Sequence, residues 1–281
     1  MNSVSMDRAR DCVLRRGELE RELANLYVRR AGKEKHISRI IPEYSEDWAN
    51  DSAVKDSDKK GEEKIMSAEM VMLVAERRDL YAGEEKINHA IERRLKNMSR
   101  IGMHYEEMEA ELIRIQKSAK ALDEAAATGQ RIIRQTGHIK RCMDQALKFR
   151  VGSGGLSEPL RIALRGVDEL EPMIQSFYTI IEEPAIKHDM REKIKYCQIG
   201  GADWAWEAFD LDVVGLFARL FHRPDMKRFS EVDVELLDVR FRVYNAMSRV
   251  AMKRSVVCGE LVRLAETAGV LDDDEHAELH G

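Results

Sequence analysis

Aromatic residues, prolines, cysteines and long apolar runs are all scarce in this sequence of 281 residues. Aromatic residues make up 6% of the chain and prolines number five, whereas 35% of the residues are charged. Few prolines and abundant Glu, Lys, Arg, Ala and Met favour helices over strands. No segment shows the alternation of a half-buried strand bounded by hairpin turns. We therefore predict an all-α fold in which long, heptad-patterned helices are followed by a compact C-terminal helical bundle.

The scarcity of apolar runs and cysteines bears on the compartment. The longest uncharged run, residues 172–181, is about half of the ~20 residues that a bilayer-spanning helix needs. The first residues are charged and lack an apolar stretch, so no secretory signal is expected. The four cysteines stand in no paired spacing and are interpreted as reduced thiols. These absences predict an intracellular, soluble protein, cytoplasmic or part of a large assembly, with no membrane partner.

No sequence motif indicates a catalytic or cofactor-binding site. A carboxylate-bridged metal site in a helical bundle needs Glu-x-x-His pairs, and no Glu here has a His three residues later. The Gly-Ser-Gly-Gly segment 152–155 has neither the Lys-Ser/Thr of a phosphate-binding loop nor the Gly-x-Ser-x-Gly order of a nucleophile elbow. We predict a non-enzymatic protein with no catalytic residue, no cofactor and no metal.

The charge, −5 overall, is unevenly distributed and suggests the domain organisation. Residues 1–41, with 10 basic and 6 acidic side chains, form a predicted basic helical segment, and residues 42–61 a predicted acidic flexible loop. Residues 62–151 form a predicted long coiled-coil-like region, and residues 156–281 a predicted acidic C-terminal bundle with a frayed tail. Three glycines within residues 152–155 mark the predicted linker between the last two parts.

Single residues and short segments predict where helices end and where they are buried. Gly32 is predicted to end the first helix, and Pro172 to kink or restart a later one. The aromatic-rich segment 202–221 is predicted to form a central core helix. In the first helix, Arg16 interrupts an otherwise apolar face.

A heptad-like pattern extends from Ile87 to Ile133. Apolar residues recur there at alternating separations of three and four for more than six heptads, with Arg94 and Gly129 as exceptions. The pattern predicts one helix of ~70 Å that packs along a partner, and it leaves open whether that partner belongs to the same chain. We call the following predicted helix–helix interface residues the seam: Ile91, Met98, Ile101, Tyr105, Met108, Leu112, Ile115 and Leu122.

A basic cluster follows the first apolar stretch and is the candidate polyanion-binding surface. Such clusters gain affinity for phosphate backbones through counterion release. The alternative is an ordinary solvated or interdomain basic face, because the chain is acidic overall and an acidic segment follows at once. The cluster consists of Arg29, Arg30, Lys33, Lys35 and Arg39.

These patterns favour a structural or interaction protein that assembles through helix–helix contacts, with copies of itself or with other helical proteins in a larger complex. A second hypothesis is a nucleic-acid-coating protein of viral nucleoprotein or capsid type, which would bind RNA or DNA through the basic cluster. A third hypothesis is an enzyme whose site is assembled from scattered residues.

Overall fold

The computed structural model describes residues 5–40, 56–101, 105–148, 158–185, 188–199 and 226–271. Within these ranges the chain is helical and has no strand, so the all-α prediction is confirmed for them. No helix in this part of the chain combines the length and apolar character that crossing a membrane requires. The helices, in chain order, are α1 (Met6–Ile40), α2 (Asp56–Asp79), α3 (Tyr81–Arg100), α4 (Glu106–Lys148), α5 (Glu158–Ile180), α6 (Met190–Ile199) and α7 (Met226–Thr267).

Three predicted features lie outside the described residues. They are the glycine linker 152–155, the core helix 202–221 and the C-terminal tail from residue 272 onward. The predicted acidic loop is described only from Asp56, where α2 begins, so its last residues are helical.

α1 and α5 continue through residues that were predicted to interrupt them. α1 does not end at Gly32 but continues to Ile40. It continues because Ala31 and Glu34 are buried, and their packing stabilises the helical turns on both sides of Gly32. A mid-helix glycine costs only about 1 kcal/mol, which such contacts can offset. α5 likewise passes Pro172 without restarting.

The predicted single helix from residue 87 to 133 is two helices in the structure. α3 ends at Arg100, and the backbone amide of Ile101 donates to the carbonyls of Asn97 (3.3 Å) and Met98 (3.2 Å). This change to a three-residue closure is typical of a helix end. The predicted continuity was therefore wrong at Ile101, although α4 then continues unbroken for 43 residues.

The described helices belong to two compact units, each built from separate stretches of sequence. The first unit holds the described residues of Met1–Val28, Ser57–Ala126 and Ala246–Gly281. The second holds those of Arg29–Asp56 and Ala127–Asn245. α1, α4 and α7 each contribute residues to both units.

The first unit has an apolar core in which α1 and α3 approach closely at Gly83. A Cβ atom on Gly83 would lie 2.4 Å from the Cβ of Cys12, closer than packed atoms can come, and 3.1 Å from the carbonyl oxygen of Ala9, a tight contact. Glycine is therefore required there by the contact between the helices. The buried core residues are Ala9, Val13, Ile87, Ile91, Leu95, Leu112, Ile115, Ala119, Val257, Cys258, Leu261, Val262, Leu264, Ala265, Ala268 and Val270.

In the second unit, α5 packs against α4 and α6. A Cβ atom on Gly166 of α5 would lie 2.9 Å from the Cγ1 of Ile139 on α4. The amide of Gln135 also donates to the Gly166 carbonyl at 3.2 Å, and residue contacts join α5 to α6. The apolar face of α5 is buried, and Ile181, just beyond the helix, is half-buried. The buried residues of this face are Leu160, Ala163, Val167, Leu170, Ile174 and Phe177.

Candidate functional site

Most of the seam lies in or against the core of the first unit. Ile101, at the helix break, is 70% exposed. The seam is thus covered largely by helices of the same chain, and its use between chains stays a prediction. The seven residues that join the core or pack against it are Ile91, Met98, Tyr105, Met108, Leu112, Ile115 and Leu122.

The predicted polyanion-binding cluster does not form one exposed surface. Arg30 is buried in the second unit, with its Nε 3.3 Å from Glu34, and Glu34 also pairs with Arg240 at 2.8 Å. The Nζ of Lys35 lies 5.4 Å from the ring centroid of Phe241. Lys35 therefore contacts α7 within this unit, whereas Arg30 is linked to α7 only through Glu34.

The other three residues of that cluster differ in exposure. Arg29 is exposed and Lys33 is half-buried. The backbone of Arg39 is in α1, and its side chain lies outside the described residues. Polyanion binding by this cluster therefore stays a prediction, with Arg30 buried in an ion pair.

Four charged side chains from four helices meet in the first unit and form what we call the ionic cluster: Arg16, Glu84, Asp123 and Arg254. Arg254 Nη2 donates to both carboxylate oxygens of Glu84, at 2.7 and 2.6 Å, and its Nε donates to Asp123 Oδ1 at 3.2 Å. Arg16 Nη2 donates to Asp123 at 2.8 and 2.9 Å, and Nη1 donates to Glu84. Two cations thus share two carboxylates.

Burial makes the ionic cluster energetically important. Arg16, Glu84 and Arg254 are 2%, 4% and 1% exposed, while the side chain of Asp123 is 30% exposed. Desolvation raises the pKa of Asp123, but Arg254 and Arg16 outweigh it and the net direction is downward. The carboxylate of Asp123 is therefore held ionised by its two guanidinium partners.

A thiol lies beside the ionic cluster. Arg254 Nη1 is 3.3 Å from the Sγ of Cys258, and burial raises the pKa of Cys258 to about 11. Because the thiolate is the reactive form, this thiol is a poor nucleophile at neutral pH. Among the described residues, no group of three or more His, Cys, Asp or Glu side chains is arranged to hold a metal ion.

A second charged group, in the second unit, makes stability depend on pH. Glu235 pairs with Lys193, which is also 3.0 Å from Asp189. Burial, and then a hydrogen bond with Asp189, raise the pKa of Glu235 to about 7. The same hydrogen bond lowers the pKa of Asp189 to about 2. Glu235 therefore holds a proton well above the pH at which an unfolded Glu would lose it.

Glu235→Gln is expected to flatten the pH dependence of stability between pH 4.5 and about 7. In that window the folded wild type binds more protons than the unfolded chain, so its free energy of unfolding falls as pH rises. Denaturant unfolding at several pH values measures this slope. Glu231→Gln, one turn earlier on α7, is the control for loss of one carboxylate. If the free energy of unfolding changes with pH equally in Glu235→Gln and in the wild type, the raised pKa does not belong to Glu235.

Basic side chains follow one stripe of α4 and line an open groove of about 630 Å³ in the second unit. Arg131, Arg134, His138 and Arg141 are all exposed, at successive separations of three, four and three residues. This spacing places them on one face of the helix. The opposite wall comes from α5, through Glu169, Pro172 and Met173.

The ionic cluster and the groove were both missed by sequence reasoning. The three-four-three spacing of the basic residues on α4 was visible in the sequence and could have indicated the groove. For the ionic cluster, the interruption of an apolar face by Arg16 was the one available indication, because its partners lie 68 and 107 residues away.

Comparison with models of known protein families, with curated proteins and with solved structures finds no match to this chain.

Proposed function

We propose that this chain is a non-enzymatic interaction protein that assembles with copies of itself through helix–helix contacts. The observation that carries the proposal is an exposed apolar stripe on α7, opposite the face that packs in the core. Met252 and Val256 are 47% and 56% exposed. Between and beside them, Val250, Arg254 and Val257 are buried. α7 therefore presents apolar side chains on two faces, and the described residues of the first unit bury one of them.

The stripe on α7 has the spacing of a helix-packing surface. Arg249, Met252, Val256, Gly259 and Arg263 are separated by three, four, three and four residues, the alternation that two packed helices need. Among the described residues, no atom outside the helix's own adjacent backbone lies within 4 Å of where a Cβ on Gly259 would be, so a second helix backbone can approach closely there. Polar ends around an apolar centre are typical of protein interfaces.

A second copy of the chain fits this stripe through two-fold symmetry. In an antiparallel pair centred between residues 252 and 256, Met252 of each copy would lie against Val256 of the other. Such an interface is self-complementary, as the commonest homodimers require. A single helix pair is a small contact, so we expect weak, concentration-dependent association.

Met252→Asp with Val256→Asp is expected to abolish self-association, because the two copies would then bury four carboxylates in an apolar contact, which is strongly unfavourable. Sedimentation velocity over a range of concentrations gives the association constant for each variant. The matched control is Val71→Asp with Met72→Asp on α2, where the same residue types are 69% and 71% exposed.

The control variant should associate like the wild type. Equal loss in both variants would mean that added negative charge, and not the α7 stripe, disperses the protein. If the wild type and the Met252→Asp/Val256→Asp variant associate equally, the α7 stripe is not the assembly interface.

A further inference from the structure

The groove between α4 and α5 carries an inference that does not depend on self-association. We propose that the basic stripe Arg131, Arg134, His138 and Arg141 binds the phosphate backbone of a nucleic acid without regard to base sequence. This differs from the sequence-predicted cluster, in which Arg30 is buried in an ion pair with Glu34.

The charge of the groove is available to a ligand. Among the described residues, no carboxylate pairs with Arg134 or Arg141, and Arg131 donates only to the hydroxyl of Thr128, at 3.1 Å. The one carboxylate in the lining, Glu169, accepts a hydrogen bond from Gln135 at 3.0 Å. Three guanidinium groups therefore line the groove without an ion pair among the described residues, and the single carboxylate of Glu169 leaves an excess of positive charge.

The spacing and chemistry of the stripe suit phosphates. Residues 131 to 141 extend over about 15 Å at 1.5 Å per residue, and one strand of a duplex carries about four phosphates over the same length. Guanidinium groups donate two parallel hydrogen bonds to one phosphate, so they orient it as well as attract it. The lining has no Phe, Tyr or Trp side chain for bases to stack on. Contacts from the stripe would therefore position the backbone without recognising the bases.

The test is binding of a fluorescently labelled, mixed-sequence duplex DNA to the full chain, measured by anisotropy at 50 to 200 mM salt. Three phosphate contacts predict an affinity that falls roughly 40-fold over this range. Substituting glutamine for Arg131, Arg134 and Arg141 together should weaken binding at least ~10-fold at 50 mM salt and reduce the salt slope by roughly 3.

The matched control removes the same charge from exposed arginines elsewhere: Arg78, Arg93 and Arg100, each replaced by glutamine. This control should keep most of the wild-type affinity and slope. Equal loss in both triple variants would overturn the proposal, because net charge alone would explain it. Thermal unfolding checks that the variants fold. If the variant with all three groove arginines replaced does not fold, the single variants Arg134→Gln and Arg141→Gln are tested instead, because neither side chain pairs with a carboxylate among the described residues.

Two further arms separate the alternatives. Replacing Arg29, Lys33 and Lys35 by glutamine should leave binding nearly unchanged, and selective loss in this variant would move the site to the sequence-predicted cluster and overturn the proposal.

Polyglutamate of equal charge should compete weakly. Competition as strong as that of unlabelled DNA would make an acidic protein segment the occupant instead, and absence of DNA binding by the wild type at 50 mM salt would overturn the proposal outright.

Discussion

Glu84→Gln is expected to lower the free energy of unfolding by about 3–5 kcal/mol, the cost of breaking a buried ion pair by removing one partner. In the native protein two positive and two negative groups compensate one another in the ionic cluster. The substitution leaves Arg16 and Arg254, which are 2% and 1% exposed, to share Asp123 alone. A buried, uncompensated positive charge then remains in the folded state, whereas water solvates it in the unfolded state.

Glu85→Gln is a control of the same chemistry at the next position. Glu85 is exposed, so its substitution should change stability by no more than about 0.5 kcal/mol. Chemical denaturation of both variants measures the difference. If Glu84→Gln and Glu85→Gln are equally stable, the ionic cluster does not exist as described.

A rescue variant separates pairing from packing. Replacing Arg16, Glu84 and Arg254 by Met, Leu and Met removes the buried charges together and keeps apolar volume. Because desolvation of both partners offsets much of the attraction in a buried ion pair, this variant should be more stable than Glu84→Gln alone. Asp123, with 30% of its side chain exposed, can remain solvated. A triple variant less stable than the single one would mean that the charges themselves stabilise the fold.

Ile115→Ala is expected to lower the free energy of unfolding by about 2–5 kcal/mol, from lost burial and the cavity that remains. Ile115 is 1% exposed in the core of the first unit, whereas Ile113, two residues earlier on α4, is 58% exposed. Ile113→Ala is therefore the matched control, with an expected change within about 0.5 kcal/mol.

The dependence on protein concentration decides where the seam is buried. If helices of the same chain cover Ile115, the destabilisation by Ile115→Ala is the same at low and high concentration. A destabilisation that appears only at concentrations where the protein associates would mean that other copies cover the seam. Denaturant unfolding at two concentrations a hundredfold apart makes the comparison.

The helices themselves were largely predictable because their signals are local. Scarce proline, abundant helix-forming residues and apolar residues three or four apart predict helices, and the described residues are helical. On α5 the apolar residues with this spacing are the ones that are buried. The same logic failed at Gly32, where tertiary contacts offset a glycine, and at Ile101, where a regular pattern continued across a helix end.

The detailed packing of α3 shows why a strict heptad pattern was too simple. The structure buries Ile87, Ile91 and Leu95, at separations of four residues, while Arg94, the residue at the heptad position, is exposed. A helix that is not supercoiled has 3.6 residues per turn, so its buried face moves away from a seven-residue repeat. At the position where the sequence pattern has Arg94 as an exception, the adjacent Leu95 is the buried residue.

The ionic cluster and the two units depend on contacts between residues far apart in the chain. Glu84 and Arg254 are separated by 170 residues, and no local pattern relates them. The mismatch of Arg16 with its apolar face was informative, since a charge on a core-facing position requires a buried partner. Only the tertiary structure identifies that partner.

We propose that the chain is an interaction protein whose seam lies largely in its own core and whose outer α7 stripe mediates assembly. The most direct test is the absolute mass of the wild type by light scattering behind a sizing column, over a wide range of concentrations. We predict a mass above 32.3 kDa that decreases towards that monomer value on dilution. A mass of 32.3 kDa at every concentration would contradict self-assembly.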